Sequence, residues 1–207
     1  QCYNTADVWM SPRSYCGRSA YLGGVAGFSD SSISDCYNLG DVGVSSADEA
    51  YYEIACGGIV GQYMLGESRY EYQGANCYST GKVSARTSGV GYAGGIVGYV
   101  LENYADLYVR DCIVLSPSVG VYYDYSFGTG SSGPIKANLL GTGVRVESDH
   151  KCYYLEGIKS EGYTSLSYPS YTSRIDADDA RDPGWYEYRE TWDMDGTWAL
   201  AAEQNDG

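Results

Sequence analysis

Histidine occurs once in the 207 residues, at His150, and phenylalanine only twice. A single histidine removes most histidine-based metal sites. It also removes Ser-His-Asp and Cys-His nucleophiles unless His150 itself serves. Within "VESDHKCYYL" that histidine reads as an exposed loop residue. Basic residues are few as well: Lys plus Arg number 13 against 27 Asp plus Glu, for a formal net charge of −14. Such a chain repels nucleic acid and anionic membranes, so neither is expected as a partner. No stretch approaches the run of about 18 apolar residues that crosses a bilayer, so no membrane insertion is expected in this segment. Proline, at 5, is too scarce for a proline-rich disordered chain. No C-x2-C pair is present, so no cysteine zinc site is expected. Gln1 opens directly into "CYN" without a signal-peptide pattern, as in a mature form or a segment of a longer chain.

What the chain does have is repetition. "QCYNTADV", "DCYNLGDV", "NCYSTGKV", "DCIVLSPSV" and "KCYYLEGI" place cysteines at Cys2, Cys36, Cys77, Cys112 and Cys152, at spacings of 34, 41, 35 and 40 residues. A second phrase follows the first three: "GGVAG" from Gly23, "GGIVG" from Gly57 and "GGIVG" from Gly94. A decayed copy, "GTGSSGPI", lies at 128–135. Two phrases recurring in fixed order mark a repeat architecture.

The first phrase suits a short strand entering an Asn/Gly bend. In the second, paired glycines allow a bend, or a backbone approach that a Cβ would block. The connectors vary in length and carry the charges. No segment before about residue 175 shows a capped 3.6-residue apolar period. A unit of 34–41 residues with two short strands cannot bury its own apolar face, whereas stacked neighbours can. The predicted fold class is all-β: a parallel β-solenoid over residues 1–160 with Cys, Ile and Val inside. Residues 161–207 form an aromatic C-terminal capping segment.

The phrases "CYNLGDV…GGIVG" and "CYSTGKV…GGIVG" resemble the GLUG-type repeats of bacterial cell-surface and secreted proteins. "CYYLEGI" and "TWDMDGTWAL" resemble the endings of such arrays. The resemblance covers residues 1–160 well and the last 45 or so loosely. It implies an extracellular, structural or adhesive role and no catalytic residues. The fourth copy departs from the pattern, so regularity is expected to weaken after Cys112.

Equivalent cysteines in successive repeats would form a column. With two rungs per repeat at about 4.8 Å each, they would lie roughly 9–10 Å apart. That is too far for a disulfide, so the column is expected to stay reduced. Cys16 and Cys56 lie off this column, one repeat apart, and are the candidate bridge. Glycosidase chemistry needs two facing carboxylates. Asp41, Glu53, Glu71 and Asp124 fall in variable connectors without a paired motif, so solvated charge is the favoured reading and no enzyme is expected. "DADDARDPGWYE" at 176–187 puts Asp176, Asp178 and Glu187 where a calcium loop has ligands, but Arg181 replaces the required glycine. A calcium site there or at "DMDG" (193–196) is the only cofactor candidate, against a plain polar loop.

Tyrosine, at 24, is the outstanding excess. Tyr51, Tyr52, Tyr70, Tyr72, Tyr122, Tyr123 and Tyr125 lie in or beside connectors. They are candidates for a surface that binds a glycan or protein, or for rings packed over the outside of the stack. Trp185, Trp192 and Trp198 are candidates for covering an open end of the stack or meeting another copy of the chain. The favoured function is a non-enzymatic extracellular repeat domain of a bacterial surface protein, structural or adhesive. A head-to-tail filament subunit is the alternative, and a carbohydrate-binding or carbohydrate-active β-helix the second.

Overall fold

The structure, a computed structural model, describes residues 2–11, 19–44, 53–64, 74–101, 107–123, 135–146, 150–162, 165–188 and 192. It is all-β, with parallel strands stacked in five sheets, an arrangement consistent with a β-helix-like fold. Sheet I holds Cys2–Asn4, Cys36–Asn38, Tyr78–Ser79, Ile113–Val114, Cys152–Leu155 and Thr172–Ile175. Sheet II holds Val8–Met10, Val42–Val44, Val83–Thr87, Ser118–Tyr123 and Lys159–Gly162. Sheet III holds Ser19–Gly23, Glu53–Gly57, Val90–Gly94, Ile135–Asn138 and Leu166–Ser167. Sheet IV holds Ala26–Ser29, Val60–Met64 and Val97–Leu101, and sheet V holds Ile33–Ser34, Gly74–Ala75, Leu107–Arg110 and Val144–Val146.

The chain visits the sheets in the order I to V and then begins again. Each circuit is one sequence repeat, and each of its strands pairs with the matching strand of the next. Two expectations change. A full repeat contributes five strands, not two, and spans one layer, not two rungs. Cys2 therefore pairs directly with Cys36. The registers Tyr37↔Tyr78, Tyr78↔Ile113 and Ile113↔Tyr153 carry the cysteine row on through Cys77, Cys112 and Cys152. Neighbouring cysteines thus sit one strand spacing apart, about 4.8 Å, and distance does not keep them reduced. The thiols are nevertheless free, and all of this row but Cys2 are buried. Circuits also shorten toward the C-terminus. Among the described residues the fourth has only a lone bridge, Tyr99↔Thr142, at sheet IV, and the fifth has strands in sheets I to III. Stacking continues past residue 160, through Leu166–Ser167 and Thr172–Ile175.

Sequence explains the corners. Asp35, Asn76 and Asp111 each precede a row cysteine and take positive φ, at 53°, 51° and 53°. Asn and Asp tolerate that left-handed conformation better than other non-glycine residues. The Asn76 amide also donates to Asp35 Oδ1 at 3.2 Å, linking successive corners. The double-glycine phrase turns the chain from sheet III into sheet IV. A Cβ on Gly57 would fall onto the carbonyl oxygen of Val60, and one on Gly94 onto that of Val97. Alternation along sheet II sends Val42, Val44, Val83, Ala85, Val119 and Val121 into one continuous core with Ile54, Val60, Val100 and Leu107.

After Ile175 the chain forms a short 3-10 turn, Asp179–Arg181, and one helix, α1, Pro183–Glu187. Asp176 Oδ1 accepts from the backbone N–H groups of Asp178 and Asp179 at 2.9 and 2.8 Å. Asp182 caps α1 by accepting from Gly184 N–H at 3.0 Å, with Pro183 at the first helical position. The acidic run thus supplies caps.

Candidate functional site

Two outward surfaces gather the side chains that could meet a partner. The first is the outer row of sheet I. The residue after each cysteine points away from the core, so Tyr3, Tyr37, Tyr78, Ile113 and Tyr153 line up by register. Tyr3, Tyr37 and Tyr78 stack with centroids 5.2 and 5.0 Å apart and planes within 10° and 5°. Rings stacked on one another present edges outward, so most of this row offers no flat face to a sugar. Its C-terminal half is covered. Trp185 meets Tyr153 edge-on at 4.8 Å, Tyr186 meets Trp185 at 4.9 Å, and Trp192 lies 6.5 Å from Tyr78. With Ile113, Ile175 and Ala180 these rings make a second small core. The tryptophans expected over an open end therefore lie against the side of the stack; Trp198 falls outside the described residues. The reason is chemical: the outer row of sheet I is itself apolar and needs cover.

The second surface is the outer row of sheet II. Register places Trp9, Gly43, Ser84, Gly120 and Glu161 in one line. Gly43 leaves room for the Trp9 ring, whose Cζ3 stands 2.8 Å from where a Cβ would be. Trp9 remains 45% exposed. Beyond it Lys82, Arg86 and Tyr122 flank the row. Glu161 Oε2 accepts from Tyr122 Oη and from Lys82 Nζ, both at 2.6 Å. The Glu161 carboxylate raises the Lys82 ammonium pKa, and its hydrogen bond, with burial, raises that of Tyr122. Burial pushes the Glu161 carboxyl up, but hydrogen bonds from Lys82, Tyr122 and Ser118 outweigh it and hold the group below its ordinary range.

A depressed carboxyl contributes stability that is present above the unfolded value, about 4.3, and is lost as pH falls through the lower folded value. Urea denaturation is therefore expected to show a drop in stability below about pH 4.3, shallower in Glu161→Gln than in the parent chain.

Of the expected tyrosines, Tyr122 and Tyr123 are described, and they face opposite ways: Tyr122 bonds Glu161, whereas Tyr123 is buried. Tyr51, Tyr52, Tyr70, Tyr72 and Tyr125 lie outside the described residues, as do Glu71 and Asp124. Asp41 belongs to a backbone ladder: its Oδ1 accepts from Lys82 N–H at 2.7 Å, and its own N–H donates to Asp7 Oδ1 at 2.8 Å. Glu53 accepts from Tyr21 Oη at 2.9 Å. His150 is not a plain exposed loop residue: its Nδ1 lies 3.3 Å from Asp111 Oδ2, half-buried. Cys56 is a fully buried free thiol paired across strands with Leu22 and Ala93. Burial pushes that thiol up to about 12. Cys16, its candidate partner, and the 193–196 calcium candidate lie outside the described residues. Sequence reasoning missed Trp9, Lys82 and Glu161. Only the position of "VWM" just after the first repeat phrase singled out Trp9.

The class defined by this fold is an all-β protein of stacked parallel sheets with aromatic outer rows. No protein-family model, curated protein or solved structure matches the chain. Among the described residues no helix is long and apolar enough to cross a membrane.

Proposed function

We propose that the chain is a β-solenoid module of an extracellular bacterial surface protein, non-enzymatic, built to extend and to present an adhesive face. The observation that carries this reading is the one-repeat-per-layer pairing, in which sheets I, II and III continue in register through all five circuits. Such a stack lengthens without altering its lateral surface, which suits display. The GLUG-type phrases support the surface location. On sheet II, Lys82, Tyr122 and Glu161 are each held in the protonation state they have at neutral pH. A general base needs a pKa near the working pH, so this group favours recognition over catalysis.

The outer line of sheet II has the makeup of an extended sugar-binding surface: the exposed Trp9 ring at one end and, further along the stack, the hydrogen-bonding groups of Arg86, Lys82 and Glu161. A glycan array probed with the chain is expected to give discrete hits that disappear in Trp9→Ala, whose thermal midpoint matches the parent's. A blank array, or hits that survive Trp9→Ala, would remove the adhesive assignment to this face.

A further inference from the structure

The cysteine row is more than a set of buried small hydrophobes. Cys2, Cys36, Cys77, Cys112 and Cys152 stand in successive layers of one row, and Thr172 closes it. Each interior thiol is influenced by the next along the row: Cys77 raises the pKa of Cys36, Cys112 that of Cys77 and Cys152 that of Cys112. The Cys112 N–H also donates to Cys152 Sγ at 3.4 Å. Within the row the thiols of Cys36, Cys77 and Cys112 donate to the carbonyls of Ser34, Ala75 and Arg110 at 3.1, 3.2 and 3.4 Å. At the other end of the row Cys2 is exposed.

We propose that this row binds soft monovalent d10 cations, cuprous or silver, each held between two neighbouring sulfurs. A straight row gives every interior sulfur one neighbour above and one below. Among the described residues no three Cys, His, Asp or Glu groups converge on one point. That geometry does not suit zinc, which takes four ligands, or calcium, which takes six or more oxygens. It suits a two-coordinate ion, and thiolate sulfur selects soft metals. The layer spacing of about 4.8 Å is close to twice a metal–thiolate bond of about 2.3 Å, the zinc value.

Charge balances as well. For each cation bound, one S–H bond breaks and its proton leaves to solvent. The sulfur keeps the electron pair and gives it to the metal, and the neighbouring sulfur donates a lone pair. A monovalent cation replaces a proton, so the row keeps its net charge, and no oxidant or reductant takes part. Burial opposes a bare thiolate in the row but does not oppose an uncharged metal–thiolate unit. Entry runs from exposed Cys2 to Cys36, its partner in register.

The full chain in a Cys16→Ala background, reduced and free of oxygen and chloride, would be titrated with silver nitrate. Sulfur-to-metal absorbance in the ultraviolet reports binding. X-ray absorption reports sulfurs per ion, and maleimide labelling after denaturation counts protected thiols. Two sulfurs per ion are expected, with protection of row thiols. Binding should be roughly tenfold or more weaker in Cys36→Ala/Cys77→Ala and unchanged in Cys56→Ala, which removes a buried thiol off the row. Cys2→Ala, at an exposed site, should slow uptake while leaving the fold intact. Equal binding by the row and Cys56 variants would overturn the proposal. So would a single ion on one sulfur that vanishes with Cys2→Ala, or no protected row thiol in the parent chain.

Discussion

Gly94→Ala is expected to lower the free energy of unfolding by about 3 kcal/mol, enough to show as a large shift in a urea midpoint. The added methyl would fall onto the carbonyl oxygen of Val97 and lie 2.7 Å from Gly141 Cα. Both are backbone atoms, and the pairing around them is fixed: Val97 pairs with Val60, and Gly94 itself with Gly57 and Asn138. A flexible side chain could swing away, but here two layers must shift together. Gly184→Ala is the control. Its Cβ would meet only the Asp182 carboxylate, at 3.4 Å, and a helix tolerates alanine well. That substitution is expected to change stability by less than about 1 kcal/mol. Equal effects from the two would mean that the double-glycine bend is not held as tightly as its contacts indicate.

Trp185→Ala is the second large effect, at about 3–5 kcal/mol, and its location matters more than its size. Trp185 is 8% exposed and bridges Tyr153 of sheet I to Tyr186 of α1. Removing the ring should free the segment from Asp176 through Tyr188 from the outer row, while the main core keeps its own packing. Hydrogen exchange followed by mass spectrometry should then show protection lost over 175–188 and kept in Val42–Val44 and Val83–Thr87. Tyr188→Ala, at 86% exposure, should leave both regions unchanged. Loss of protection throughout sheet II would mean the segment is part of the main folding unit.

The repeat period, the all-β class, the stacking and the cysteine row were all legible in the phrases around Cys36 and Cys77. The number of strands per repeat was not. Sheets I to IV draw on the repeated phrases, but sheet V is built from Ile33–Ser34, Gly74–Ala75, Leu107–Arg110 and Val144–Val146, which share no residue pattern. A strand of two residues carries no alternation to detect. Two rungs per repeat would set the cysteines twice too far apart. The Asp or Asn before Cys36, Cys77 and Cys112 is a readable sign of a left-handed corner. The destination of the tryptophans could not be read, because a ring's sequence position does not say which face it covers. The tyrosine after most row cysteines was the available hint that the side of sheet I is apolar. Trp9 and Glu161 fall on one outer line only through the register of sheet II, across circuits far apart in sequence.

The shortening of the circuits has a mechanical consequence. Pulled by its two termini, a stack of this kind yields from an end, because each layer is held only by its neighbours. A released full repeat of 34–41 residues supplies roughly 115–140 Å of extended chain. The C-terminal layers, which among the described residues have the fewest paired strands to break, give way first. The wide layers near Cys36 and Cys77 resist longest, so under load the chain pays out in graded steps, weakest first, rather than failing at once.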